Sequence, residues 1–230
     1  MWLRKGEIKE NILYDDNGRI KEKRSTQDGK LVGEYVSYFP NGQVMAKLNF
    51  VGGSREGEAF SYHENGQPRE KCSFKNNKID GEYVSYYSDG KIKEIENYSN
   101  GKLNGKYISY YQDGQVRDVE HFKNGKFHGD YTSYYKNGCI REKGSFNNDK
   151  RDGEYIAYYR NGHIKEKATF MNGRRISTLQ PLQSDVQEQE NYSEDVEDFS
   201  TGNYSPSDNE GKIEDLLKGL KEFDKGQKEG

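Results

Sequence analysis

Glycine returns every 24 residues through most of this 230-residue chain, at Gly18, Gly42, Gly66, Gly90, Gly114, Gly138 and Gly162. Asn or Asp precedes each of them. A second column at Gly33, Gly57, Gly81, Gly105, Gly129 and Gly153 keeps the same interval. Two glycine columns in one register define an internal repeat. A unit this short cannot enclose a core of its own and has to bury its apolar side chains against its neighbours.

The unit reads as strand. Tyr83, Val84, Ser85, Tyr86 and Tyr87 are suited to a pleated, half-buried surface. Asp89-Gly90 predicts a two-residue type I′ turn, with positive φ at both central positions. Ile92 to Tyr98 forms a second strand, and Asn100-Gly101 leads back towards Gly105 and the next unit. This register pairs Tyr87 with Ile92 and Ser85 with Glu94. Alternation then places Tyr83, Ser85, Tyr87, Ile92 and Glu94 on one face, and Val84, Tyr86, Lys93 and Ile95 on the other. Neither face is wholly apolar, which suits a sheet one layer thick. Two aromatic columns are expected to run along it as spines. One is Phe50, Phe74, Tyr98, Phe122, Phe146 and Phe170; the other is Tyr14, Tyr38, Tyr62, Tyr86, Tyr110, Tyr134 and Tyr158. At two strands per unit the array has about thirteen strands.

Composition agrees with a thin structure. Only 30% of residues are hydrophobic and 33% are charged, yet the chain holds 19 Tyr and 26 Gly. Such charge with so little hydrophobicity suggests disorder, but tyrosine and glycine in strict register point to strands and turns. The expected fold is all-β: an elongated, single-layer, twisted antiparallel sheet of tandem 24-residue hairpins over residues 1–175.

The pattern Gly-Glu-Tyr-x-Ser-Tyr-Tyr-x-Asn/Asp-Gly-x-Ile-x-Glu, followed by Asn-Gly-Lys and Gly, resembles the variant MORN repeat of bacteria. The resemblance covers about residues 11–175. It implies an extended antiparallel sheet that binds other proteins, and it links the chain to the YwqK-family antitoxins of toxin–antitoxin systems. It brings no catalytic residues with it. The units are unequal. Ala59 replaces the tyrosine of its column, His63 replaces the last aromatic residue of its strand, and Asp149 stands where a turn glycine is expected.

Composition changes at Ile176. Residues 176–211 contain nine acidic residues and neither Lys nor Arg, which predicts a disordered linker. Across 176–230 there are 14 acidic residues against 5 Lys, whereas residues 1–175 hold 31 basic against 25 acidic. Ile213, Leu216, Leu217, Leu220 and Phe223 share one helical stripe, so a short amphipathic helix is expected over 212–225, with a disordered end at 226–230. At about a dozen residues such a helix is marginal alone and is expected to dock.

No constellation for catalysis emerges. The acidic column Glu22, Glu70, Glu94, Asp118, Glu142 and Glu166 reads as cross-strand charge pairing, since its members sit roughly 10 Å apart. His63, His121, His128 and His163 occupy four different repeat positions, and no pair has metal-ligand spacing. Cys72 and Cys139 lie nearly three units apart, too far for a mutual disulfide. The serines at 37, 61, 85, 109 and 133 have no partnering base and read as small residues packed between tyrosines.

The expected function is therefore a non-enzymatic, protein-binding scaffold without metal or cofactor, most simply an antitoxin that neutralises a partner protein. The alternative is an envelope or surface structural or adhesion-associated protein. Weak net charge argues against nucleic acid and against an anionic membrane. No signal segment is evident, which predicts the cytoplasm unless the true start lies upstream. Expected contact residues are Tyr83, Tyr87, Tyr107, Tyr111, Tyr131 and Tyr135 on the array, with Leu216, Leu217, Leu220 and Phe223 in the tail.

Overall fold

The computed structural model describes residues 6–179. The start of the predicted linker is strand instead: Ile176 to Leu179 continue the last strand, Arg174–Leu179, which pairs with Ile164–Met171. The rest of the predicted linker and the tail helix, with Leu216, Leu217, Leu220 and Phe223, lie outside the described residues. Residues 6–179 belong to one compact unit.

The described residues form one 20-stranded sheet with no helix. All pairings are antiparallel, and each strand bonds to strands adjacent or next-but-one in sequence. The repeat therefore produces a meander, as its period predicts. Five units, from Ser54 onwards, contribute three strands rather than two, whereas the unit before them has only Lys30–Tyr38 and Val44–Val51; this accounts for the excess over about thirteen. In the fourth unit the three strands are Lys78–Ile79, Gly81–Tyr86 and Ile92–Ser99.

The two-residue strand arises from a split. The start of Ile92–Ser99 pairs with Gly105–Tyr110 through Glu94↔Ser109 and Ile95↔Ile108. Its end pairs with Lys102–Leu103 through Tyr98↔Leu103 and Ser99↔Lys102. Between the two, Gly105 adopts φ +124°, a backbone shape costly for any residue with a Cβ. The second glycine column thus marks a kink that divides one return strand into two.

The turns differ from expectation in a specific way. At Asp89-Gly90 only Gly90 has positive φ, at +85°. The Gly90 amide bonds to the Tyr87 carbonyl at 2.9 Å, and the Tyr87 amide bonds to the Lys91 carbonyl at 2.8 Å. The loop therefore has three residues, Ser88 to Gly90, with glycine as the left-handed residue that ends it. The register shifts accordingly: Ser85 pairs with Glu94 as expected, but Ile92 pairs with Tyr86 rather than Tyr87. Asp89 is there to cap. Its Oδ1 accepts the Lys91 amide at 3.1 Å, and Asn41, Asn65, Asp113, Asn137 and Asn161 each cap the residue two positions on. The type I′ geometry belongs to the other turn, where Asn100 (φ +51°) and Gly101 (φ +78°) are both left-handed. Asp149 fits there because it takes φ +67° and its Oδ1 accepts the Phe127 amide at 2.8 Å.

One face of the sheet is covered. Tyr35, Tyr83, Tyr107 and Tyr131 are buried there, beside Phe50, Phe74, Tyr98 and Phe122. The rings meet mostly edge to face, as in Tyr35–Phe50 at 6.3 Å and Tyr107–Phe122 at 6.2 Å between centroids. Second residues of the short strands fill the space between units. Phe127 lies 4.4 Å from Phe122 and 5.1 Å from Phe146, and the Arg55 guanidinium sits 4.4 Å above the Phe74 ring. The Phe50 column is thus the spine that the sequence predicts. The column from Tyr14 to Tyr158 is not; its members are half-buried or exposed and lie on the opposite face.

Candidate interaction surface

The covered face carries a polar ladder as well as rings. Glu22, Glu70 and Glu94 are buried, so pairing on an exposed surface does not describe them. Glu22 and Asp118 are ion-paired with Arg24 and Arg117 of their own strands, both at 2.8 Å, and the acids also accept from hydroxyls. Ser61 donates to Glu70 at 2.9 Å, Ser85 to Glu94 at 3.1 Å and Ser109 to Asp118 at 2.7 Å. Tyrosines of the following unit reach back: Tyr35 to Glu22 at 2.8 Å and Tyr155 to Glu142 at 2.8 Å. Burial and then Glu142 push the Tyr155 hydroxyl up to about 12, so it remains a donor at any physiological pH. Ser61, Ser85 and Ser109 are therefore donors to interior carboxylates, a role their spacing alone does not reveal, while Ser133 accepts from Arg141 Nε at 3.1 Å. Such buried acids need these partners, because an unmet charge in the interior is costly.

A second set of bonds ties successive units at the hairpin tips. The hydroxyls of Tyr87, Tyr111 and Tyr135 donate to the carbonyls of Tyr110, Tyr134 and Tyr158 at 2.7–2.8 Å. His63, in the same column, places Nε2 3.2 Å from the Tyr86 carbonyl and so keeps the contact where the aromatic phenol is missing.

These placements revise the expected contact residues. Tyr83, Tyr107 and Tyr131 are interior, with at most 7% of their surface exposed, because Ser85–Glu94 pairing turns their column to the covered face. They are not available to a partner. Tyr87, Tyr111 and Tyr135 are half-buried and their hydroxyls are already engaged between units.

The opposite face is partly open: Val36, Val84 and Ile156 are buried on it, whereas Ile95, Ile108 and Val119 are half-buried. A single row of cross-strand neighbours crosses it, each residue paired with the next. From the first units inwards it runs Lys23, Val36, Lys47, Phe60, Lys71. It continues through Val84, Ile95, Ile108 and Val119, then Thr132, Lys143, Ile156 and Lys167. Lysine alternates with an apolar residue or threonine except at the centre, where four aliphatic side chains follow one another. Beside this row stand Tyr38, Tyr62, Tyr86, Tyr110, Tyr134 and Tyr158, all partly exposed. Several lysines lie over rings, such as Lys23 above Tyr38 at 5.7 Å and Lys71 above Phe60 at 5.6 Å. Lys71 also pairs with Glu58 at 3.2 Å.

Among the described residues no group of three or more His, Cys, Asp or Glu is arranged to hold a metal ion. Both cysteines are free. Burial, with Glu70 nearby, pushes the Cys72 thiol up to about 12, which leaves it protonated and unreactive.

Repeated hairpins, a laddered interior and an open aromatic face together define a tandem-repeat β scaffold. The variant MORN repeat family matches residues 31–51, 55–76, 79–100, 103–124, 127–148 and 151–172, more than half of the chain. The chain belongs to this family. No curated protein matches it. It is similar in part to a chain of the GtfA/B complex bound to UDP and GlcNAc, at 15% identity and a TM-score of 0.20. That alignment covers 60% of this chain but only 23% of the other. A protein of unknown function from Bacteroides fragilis aligns at 8% identity and a TM-score of 0.13, covering 76% of this chain and 93% of its own.

Proposed function

We propose that the chain is a non-enzymatic scaffold that binds a partner protein, and that it acts as an antitoxin does, neutralising that partner by direct contact. The observation that supports this is the open face. Partly exposed tyrosines recur on it once per unit beside aliphatic side chains, whereas the acids Glu70 and Glu142 are engaged in the interior ladder. Tyrosine is a favoured anchor at protein interfaces because it brings a large apolar ring and a hydrogen-bonding tip with few rotors to freeze. A sheet of repeats presents such anchors at regular intervals without a pocket.

The test is affinity capture from the source cell with full-length chain, alongside a Tyr86→Ala/Tyr110→Ala variant of unchanged thermal stability. The expected result is a stoichiometric partner held by the wild type and lost by the variant. Co-expression then relieves the toxicity of that partner. Absence of any stoichiometric partner would sink the scaffold reading, and a partner whose expression is harmless would remove the antitoxin part.

A further inference from the structure

Two neighbouring units invert the polarity of four others, in which lysine faces outwards beside an uncharged residue turned inwards; in the first unit both positions are charged, Lys23 and Arg24. The lysine position on the open face is occupied by Lys23, Lys47, Lys71, Lys143 and Lys167, but by Ile95 and Val119 in the middle. The next residue points to the covered face. There it is Arg24, Leu48, Cys72, Gly144 or Ala168 in the other units, but Glu96 and Glu120 in these two. Glu96 has no exposed surface at all, and Tyr98 donates to its Oε2 at 2.6 Å. In both units, then, an aliphatic side chain faces outwards directly beside an acid turned inwards. Burial alone would select the reverse arrangement. Departures from a rule that the same chain follows elsewhere mark places where something besides folding is selected.

The geometry is continuous. Ile95 pairs with Val84 on one side and Ile108 on the other, and Ile108 pairs with Val119. The four side chains line up across four strands, a strip about 15 Å long at the usual strand spacing. The row reaches Lys71 at one end, and Thr132 then Lys143 at the other. The two lysines stand about 29 Å apart on the same spacing.

We propose that Ile95, Ile108 and Val119, half-buried beside the buried Val84, form a docking strip for a segment of a partner protein that is apolar over its centre and acidic towards both ends. This rests on the protein-binding reading above and adds the site and the chemistry of the occupant. The apolar run gains from a partner that keeps it dry; Lys143, 6.0 Å over the Tyr158 ring, and Lys71, which can exchange its exposed partner Glu58 for another carboxylate, favour an acidic over a basic segment. Their separation sets a length. Acidic groups about nine residues apart span it if the segment is extended, or about five helical turns if it is a helix.

The strip can be tested with the repeat's own residue. Ile95→Lys/Val119→Lys restores the lysine that five other units carry on this face, so the variant is expected to keep the wild-type thermal unfolding. A displayed library of random peptides, about 20 residues long to cover the helical case, is selected against the full-length chain. The expected result is enrichment of peptides with an apolar centre and Asp or Glu towards both ends. Their affinity falls about tenfold or more in the double variant, as for the loss of two interface anchors. Enriched peptides that bind the variant as well as the wild type would overturn the strip while leaving the scaffold reading in place. Failure to enrich any peptide overturns the strip too; the scaffold reading then depends on the cellular capture alone. Vesicles containing phosphatidylglycerol form the last arm. Binding by the wild type that strengthens in the lysine variant would identify a membrane rather than a protein segment, and would also overturn the proposal.

Discussion

The Tyr35 hydroxyl donates a 2.8 Å hydrogen bond to Oε2 of Glu22, across the boundary between two repeat units. Both side chains are buried. Neighbouring units are thus joined by a specific acid–phenol bond in addition to the main-chain ladder. Removing the phenol in Tyr35→Phe leaves the carboxylate short of a donor. The expected cost is about 1–3 kcal/mol, read as a lower denaturation midpoint with the slope of the transition unchanged. A variant as stable as the wild type would show that Arg24, 2.8 Å from the other carboxylate oxygen, suffices to hold Glu22.

The bonds at the hairpin tips should be weaker because water can reach them. Tyr111→Phe removes the donor to the Tyr134 carbonyl and is expected to cost about 0.5–1 kcal/mol. Hydrogen exchange should quicken in Gly129–Tyr134 and its neighbours while the first units keep their protection. Uniform acceleration along the array would mean that the units do not open separately.

Asp149 has two duties in its turn, a left-handed backbone and an acceptor for the Phe127 amide. Asp149→Asn retains both and is expected to be neutral. Asp149→Ala loses the acceptor and strains the backbone, for a loss of about 1–2 kcal/mol. Thermal unfolding of the two variants separates these contributions, and equal melting temperatures would refute the assignment.

Glu120 gives the array a pH dependence. Its Oε2 is buried without a hydrogen-bond partner. Burial first, and then the nearby Asp118 carboxylate, push its pKa up from 4.5 to about 8, against the pull of Arg117. The folded state therefore holds a proton that the unfolded chain has released between those values. This contribution to stability is complete below about pH 4.5 and disappears as pH rises through about 8, with a slope of about 1.4 kcal/mol per pH unit between them. Glu120→Gln should flatten that part of the curve and be the more stable form at pH 9. Parallel stability curves for the two proteins would show that Glu120 is not the group responsible.

Much of this architecture could be read from the glycine columns, because a fixed period leaves a hairpin meander little freedom. Local geometry was harder to read. Asn and Asp before glycine serve equally as left-handed residues and as side-chain caps, and only the φ of Asp89 and Asn100 separates the two turns. That one-residue difference moved Ile92 from Tyr87 to Tyr86. The interior role of Tyr83, Tyr107 and Tyr131 was masked for a related reason. All three sit in tyrosine-rich strands where either face looks equally aromatic, and what decides between faces is a serine paired with an acid on the adjacent strand, as in Ser85 and Glu94. The inversion at Ile95-Glu96 and Val119-Glu120 was present in the aligned columns. It becomes meaningful only once the two faces are known.

Because no described side-chain hydrogen bond reaches more than 23 residues along the chain, each unit is fastened only to those beside it. A gene encoding such a chain can gain or lose one 24-residue module by unequal recombination, and the junction on each side finds the same neighbour it had before. Reach can then be adjusted in steps of one module. A distinctive pair of modules, such as that bearing Ile95 and Val119, can be carried along or placed elsewhere without redesigning the rest.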